Sequence, residues 1–157
     1  MDQIRKLEKE DIEEIISLRI CLQNFDKKYM DVQKIVLEED QLQNKTRLYL
    51  QNNLNQTLYM FGYFKEELLI SICGFYIHTQ FPTYTNPLGL VGHMASVYTR
   101  EEYRKMGYQK QVFAYALTYA EKMGITKFEL DSGNECAIKM YRQFGFSLST
   151  YIYQRRI

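Results

Sequence analysis

Proline is nearly absent: the 157 residues hold two, Pro82 and Pro87, and both fall in the stretch HTQFPTYTNP. With no Pro/Gly/Ser linker, no repeat and no low-complexity tract, nothing divides the chain, and residues 1–157 are expected to form a single domain. An excess of either charge is also missing. Twenty Lys and Arg against nineteen Asp and Glu leave a net charge of +1, so no global field points to nucleic acid or to an anionic membrane surface. Any anion site has to be local. The longest apolar run, Leu68 to Ile77, is about half of the ~20 residues that a spanning helix needs, and MDQIRKLEKED has no signal-peptide core. A cytoplasmic protein with neither nucleic acid nor membrane as partner is expected. Cys21, Cys73 and Cys136 are an odd number with neither paired spacing nor a His cluster, so free thiols and no metal are expected. There is no serine-elbow signature, no metal-ligand spacing and no complete phosphate-binding loop. The carboxylate runs EKED and EEDQ fall on expected exposed helix faces, where charge serves solvation rather than a hydrolytic pair.

What the chain does have is apolar: 46% hydrophobic and 15% aromatic residues, enough for one core and against disorder. QIRKL reads as a short first strand. EDIEEIISLRICLQ sets Ile12, Ile15, Ile16, Arg19 and Leu22 at helical spacing, with acids in the first turn where the helix dipole favours them. Val32 to Leu37 and Arg47 to Leu54 read as further helical pieces separated by the polar EEDQLQNK. TLYMFGYF and LLISICGFYIH, joined by KEE, predict a hairpin, and LVGHMASVYT another strand. GYQKQVFAYALTYAEKMG predicts a helix with Val112, Tyr115, Ala116 and Tyr119 on one face and Gly124 as its stop. A strand KFELD, a helix NECAIKMYRQFG and a last strand FSLSTYIYQRR complete the order β-α-α-β-β-β-α-β-α-β. That order predicts an α/β protein with a mixed sheet rather than a bundle.

The stretch YRKMGYQKQVF, from Tyr103 to Phe113, carries three cations, one glycine and no acid. It follows a strand and opens a helix. Backbone N–H groups left unpaired at the helix start suit a phosphate, glycine lets the backbone approach it, and Arg104, Lys105 and Lys110 can add charge-assisted hydrogen bonds. The plainer alternative is a solvated basic turn capping an ordinary helix.

The segment from Val97 to Phe146 resembles the GCN5-related N-acetyltransferase (GNAT) superfamily. VYTREEYRKMGYQKQV is similar to its acetyl-CoA motif (Arg or Gln, two residues, Gly, one residue, then Gly or Ala), with Arg104, Gly107 and Gln109 in those places. NECAIKMYRQFGF is similar to its second motif, through Asn134, Ala137, Ile138, Tyr141, Gly145 and Phe146. The upstream NPLG and VYT resemble small bacterial members. The resemblance implies a mostly antiparallel central sheet flanked by helices, with the fourth and fifth strands splayed apart at a bulge. It implies acetyl-CoA as cofactor, bound by Val97, Tyr98 and Thr99, by Arg104, Lys105, Met106, Gly107, Tyr108, Gln109 and Lys110, and by Asn134, Ala137 and Tyr141. Gln109 departs from the pattern, standing where Gly or Ala is usual. Its side chain is expected on the solvent side of the first helical turn.

In that scheme the Val97 N–H is the oxyanion donor and Tyr141 meets the departing sulfur. Reference values of ~10 for tyrosine and ~8.5 for a cysteine-like thiol make outright proton donation uphill by roughly 2 kcal/mol, so Tyr141 is expected to stabilise the thiolate by hydrogen bonding. Its other reading is an aromatic packing residue. His93 lies close to where several members carry a glutamate that deprotonates the amine through water, and a histidine's reference pKa of ~6.5 suits that work. Strict alternation puts His93, Ala95 and Val97 on one strand face. A core histidine, with bulk water taking the proton, is the other reading.

The expectation is an acetyl-CoA-dependent N-acetyltransferase acting on a primary amine of a small molecule or amino acid, by direct attack in a ternary complex. The alternatives are a catalytically silent acyl-CoA-binding or regulatory module, and an acetyltransferase of protein or peptide N-termini. The superfamily's usual acceptor wall, the first helices and the loop before the fourth strand, shows no dominant charge here. Scattered Asp26, Asp31, Glu38, Glu39 and Asp40 do not suit a polycation. The loop HTQFPTYTNP either lines a substrate pocket or serves as a homodimer contact, and the sequence leaves both open.

Overall fold

The computed structural model describes residues 1–29, 34–150 and 153–155. The chain enters as β1 (Gln3–Lys6) and passes through a 3-10 turn at Lys9–Asp11 into α1 (Ile12–Asp26). Asp11 holds this junction: its carboxylate accepts two hydrogen bonds from Arg5, each 2.7 Å, and one of 2.8 Å from the Glu8 N–H.

The next helix, α2 (Glu39–Asn53), corrects the sequence reading, because EEDQLQNK is not a separator but the front of the helix itself. Leu50 is its one buried residue, so its apolar periodicity is faint. Its start is written instead in a capping box in which Glu38 N–H donates to Gln41 Oε1 at 3.0 Å. Of the helical piece expected over 32–37, Val32 and Gln33 lie outside the described residues, and Ile35 to Leu37 are not helical.

The hairpin forms as expected, β2 (Leu58–Lys65) turning into β3 (Leu68–Thr79). Glu66 and Glu67 make the turn at φ +48° and +70°, the positive values that a two-residue hairpin turn needs to match strand twist. β4 (Leu90–Thr99) pairs antiparallel with β3, and after α3 (Tyr108–Lys122) the short β5 (Phe128–Glu129) pairs parallel with β4. The sheet is mixed, five-stranded and ordered β1-β2-β3-β4-β5, with α4 (Glu135–Gln143) last.

Two cores cover its faces. On one, α1 and α2 bury Ile12, Ile15, Ile16 and Leu50 against Leu58, Met60, Leu69 and Ile72. On the other, α3 buries Val112, Phe113, Ala116, Leu117 and Ala120 against Phe61, Ile70, Cys73, Phe75 and Met94, and Tyr141 of α4 joins them. The expected face of α3 is therefore rotated: Phe113 and Leu117 are in the core, while Tyr115 is exposed.

The last strand does not form over residues 146–150 or 153–155; residues 151, 152, 156 and 157 lie outside the described residues. Phe146 instead packs its ring 5.9 Å from Phe113 and 6.3 Å from Tyr141, which ties its end of the segment to the helical layer. No helix of the described residues is long and apolar enough to cross a membrane.

Candidate active site

The ladder between β4 and β5 has two rungs, Gly92 with Phe128 and His93 with Glu129, and β4 then continues to Thr99 without it. This is the expected splay. At the same place the β3–β4 register shifts between Ile72 and Gly74, so that Ser96 and Val97 together face Cys73. Ser96 takes φ +56°, a left-handed conformation that costs a non-glycine residue, as a bulge requires. The bulge corrects the expected alternation. Ala95 and Ser96 both face the α1–α2 side, where they line a cavity, whereas Val97 packs with the α3–α4 core. His93 and Val97 are therefore on opposite faces, because one inserted residue reverses every side chain after it.

Beyond β4 the chain makes a 3-10 turn, Glu101–Tyr103, and reaches α3 through Lys105 at φ +64° and Gly107 at φ +81°. No side chain caps α3, so the N–H groups of Tyr108, Gln109 and Lys110 lack helical partners. A Cβ on Gly107 would meet nothing within 4 Å, so this turn is open on the side a ligand would approach. Lys105, Met106 and Lys110 are exposed around it. Arg104 is tied back: its Nε donates to the Thr99 carbonyl at 3.1 Å, and its guanidinium lies over Phe25 and Tyr98 at 5.2 and 5.4 Å.

Gln109 turns inward, against the expectation. Its Oε1 lies 2.9 Å from Thr99 Oγ1 and 3.1 Å from Ser71 Oγ, and its Nε2 donates to the Ile72 carbonyl at 3.2 Å. Ser71 is fully buried and Thr99 nearly so, and two buried hydroxyls draw the amide into the sheet more strongly than water does. The side chain is consumed in holding α3 to β3 and β4, while its backbone N–H stays at the helix start.

Asn134 caps α4, its Oδ1 accepting from the N–H groups of Cys136 and Ala137 at 3.0 and 3.2 Å, which leaves its amide nitrogen as a donor. One helical turn beyond Ala137, Tyr141 is buried with its ring 5.3 Å from Phe113. Burial pushes its pKa well above the usual tyrosine range, and the nearby Cys73 pushes it further. Cys73 is itself the residue opposite the bulge, and it shares the α3–α4 core with Tyr141 and Val97.

His93 sits where the splay begins, its ring stacked 4.6 Å from that of Tyr76. Its Nδ1 is 3.5 Å from Glu129 Oε1 and its Nε2 is 3.6 Å from Asp131 Oδ2. The same Glu129 oxygen lies 2.9 Å from His78 Nε2. Burial raises the pKa of Glu129, but hydrogen bonding to His78 and then to His93 outweighs it and leaves the carboxyl below its ordinary value. The acidic partners Glu129 and Asp131 and the second histidine were missed in the sequence. The parallel β4–β5 pairing, which sets His93 beside Glu129, is the signal that finds them.

Between α1, α2 and the bulge lies a cavity of about 450 Å³, lined by Ile15, Arg19, Lys45, Thr46, Tyr49, Leu50, Leu58, Met60, Tyr76, Ala95 and Ser96. The site thus has three parts around β4: a phosphate-sized turn at its end, a buried phenol on the α3–α4 side, and a histidine and small cavity on the α1–α2 side. Among the described residues no cluster of His, Cys, Asp and Glu is arranged to hold a metal.

Solved structures share this fold over whole chains. A predicted acetyltransferase from Clostridium acetobutylicum, determined with acetyl-CoA, superposes with a TM-score of 0.84 at 20% identity, covering 99% of this chain and 96% of that one. A GCN5-related N-acetyltransferase from Ralstonia eutropha JMP134 gives 0.81 at 16% identity, with 99% of both chains covered. Glucosamine-6-phosphate N-acetyltransferase from Arabidopsis thaliana gives 0.68 at 16%, covering 99% of this chain and 98% of that one. At such identities the likeness is one of fold. No curated protein matches the chain. The model of the acetyltransferase (GNAT) family matches residues 22–146, from within α1 through the bulge, the basic turn and the Tyr141 helix. With that match covering most of the chain, including β4, the basic turn and the Tyr141 helix, the chain belongs to the GNAT acetyltransferase family.

Proposed function

We propose that the protein transfers an acetyl group from acetyl-CoA to a primary amine of a small molecule or amino acid, by direct attack in a ternary complex. The observation that carries this reading is the occurrence of the Ser96–Val97 bulge on the stretch of β4 that β5 leaves unpaired, which frees backbone groups there.

Bound acetyl-CoA supplies the activated acetyl thioester. The open turn from Arg104 to Lys110 holds its pyrophosphate through backbone N–H groups and exposed lysines. Arg104 fixes the turn's shape by its bond to Thr99. Asn134 and the β4 backbone at Val97 and Thr99 orient the acyl arm. His93 takes a proton from the incoming ammonium group, with Glu129 and Asp131 stabilising the imidazolium that results. The neutral amine then forms the C–N bond while the Val97 N–H donates to the oxyanion. As the C–S bond breaks, Tyr141 donates a hydrogen bond to the thiolate, and the proton still in excess on the new C–N nitrogen passes to that sulfur, so amide and neutral thiol are released and the imidazolium returns its proton to water. The raised pKa of Tyr141 keeps the phenol protonated and makes full proton transfer still less favourable, so its role is stabilisation rather than acid catalysis.

Thiol release from acetyl-CoA, followed across a panel of primary amines, tests the proposal. Amine-dependent release is the expected result. Release that no amine stimulates, while CoA still binds, would leave a silent acyl-CoA-binding module in its place. Turnover of peptide N-termini in preference to small amines would move the substrate class.

A further inference from the structure

The acceptor cavity is charged in a way the composition hides. Among the described residues its lining carries two cations, the half-buried Arg19 and the exposed Lys45, and no carboxylate. Glu13, Glu14, Glu39 and Asp40 of the same helices are exposed, and Asp26, at the end of α1, is half-buried outside the lining. Arg19 projects from α1 between two buried residues, Leu18 and Ile20.

Burial lowers the pKa of Arg19, with Asp26 and Tyr49 acting the other way at longer range. Yet among the described residues it makes no hydrogen bond or ion pair, and neither does Lys45. The contrast with Arg5, Arg47 and Arg104 is plain: these bond Asp11, Glu13 and the Thr99 carbonyl at 2.7, 2.7 and 3.1 Å. A guanidinium withdrawn from water and left without acceptors carries a desolvation cost that an anion in the cavity would offset.

Resting on the acetyl-transfer reading above, we infer that the acceptor is an amine bearing an anionic group, a carboxylate or a phosphate, which Arg19 and Lys45 hold on the helix side while the amine faces the β4 bulge. The geometry sets the two ends. Ala95 and Ser96 form the sheet wall, next to the stacked Tyr76 and His93, and the cations come from the opposite wall. Between them Ile15, Leu50, Leu58 and Met60 offer an apolar waist. A cavity of about 450 Å³ suits a compact molecule, since small-ligand sites run from about 300 to 1,000 Å³. The two cations also repel a polyamine, whose further ammonium groups find no carboxylate in the lining.

The test uses the full chain with paired amines: β-alanine against its isosteric amide, and phosphoethanolamine against ethanolamine, which lacks the phosphate, each followed by thiol release from acetyl-CoA. The expected kcat/KM favours the anionic member of at least one pair by roughly 10- to 100-fold, the worth of one or two charge-assisted hydrogen bonds. The favoured pair identifies carboxylate or phosphate. Arg19→Met, which keeps an unbranched apolar stem, collapses that ratio towards one through KM, and Arg19→Lys restores part of it. Neutral amines used as well as anionic ones, or a ratio unchanged in Arg19→Met, would overturn the inference. Calorimetric titration of the CoA-loaded protein with β-alanine and phosphoethanolamine separates the two readings. Arg19-dependent binding without turnover sinks the acetyl-transfer reading and keeps the anion site, whereas turnover without anion preference does the reverse.

Discussion

In the proposed reaction Tyr141 and His93 would carry opposite halves, one on each face of the sheet, and they should fail differently. Tyr141 would act on charge that exists only as the thiolate forms. Tyr141→Phe should therefore lower kcat by roughly 10- to 100-fold, the worth of a hydrogen bond to a charged group, with little change in CoA affinity. Stopped-flow binding and steady-state kinetics on the same preparation check this. Loss of CoA affinity equal to the loss of kcat would return Tyr141 to a packing role beside Phe113. His93 acts before the C–N bond forms, by being unprotonated. His93→Ala should flatten the acid limb of the pH–kcat/KM profile, and an unchanged limb would leave bulk water as the base. Both residues were candidates from the sequence because a motif or a strand position marked them. Their surroundings were not. Cys73 and Glu129 reach them only through strand pairing, which depends on register, and the bulge changes register by one residue in a way that alternation cannot reveal.

At the scale of elements, the tie between α3 and the sheet distinguishes this chain most clearly from its family's pattern. Gln109 replaces a small residue and fills the gap with three hydrogen-bonding contacts to Ser71, Ile72 and Thr99. Gln109→Ala would remove the acceptor that Ser71 and Thr99 share and the side-chain donor to the Ile72 carbonyl, while the two hydroxyls keep their 2.8 Å bond to each other, which should cost about 1 to 2 kcal/mol of stability in denaturant unfolding. CoA affinity should fall less, since the backbone N–H at the helix start is kept. A stability change within about 0.5 kcal/mol, the range of ordinary surface substitutions, would show that the tie contributes nothing. The elements themselves were read unevenly. The hairpin, β4 and α3 carry strong apolar periodicity and were plain. By contrast, α2 buries so little that only its capping box marks it, and KFELD shrinks to Phe128–Glu129 where the sheet opens. An isolated apolar run carries no trace of a partner strand ending early.

At the scale of the whole molecule, the central claim is that the open β4 edge and the turn from Arg104 to Lys110 together form one coenzyme site, the turn gripping pyrophosphate and the strand holding the acyl arm. The anion-binding expectation drawn from YRKMGYQKQVF and the GNAT resemblance converge on it, and the open helix start behind Gly107 gives it a shape. Thermal melting with CoA and with pantetheine, compared at the same free concentration, tests it most directly. At about a hundred times its dissociation constant CoA should stabilise the fold by ~2.7 kcal/mol, a rise in Tm of roughly 5 to 10 °C for a chain of this size. Raising salt should shrink that rise, because the contacts are charge-assisted and partly exposed. Pantetheine lacks the pyrophosphate and should shift the melt far less. Equal shifts from CoA and pantetheine would contradict the account, reducing the turn to a solvated basic cap on an ordinary helix.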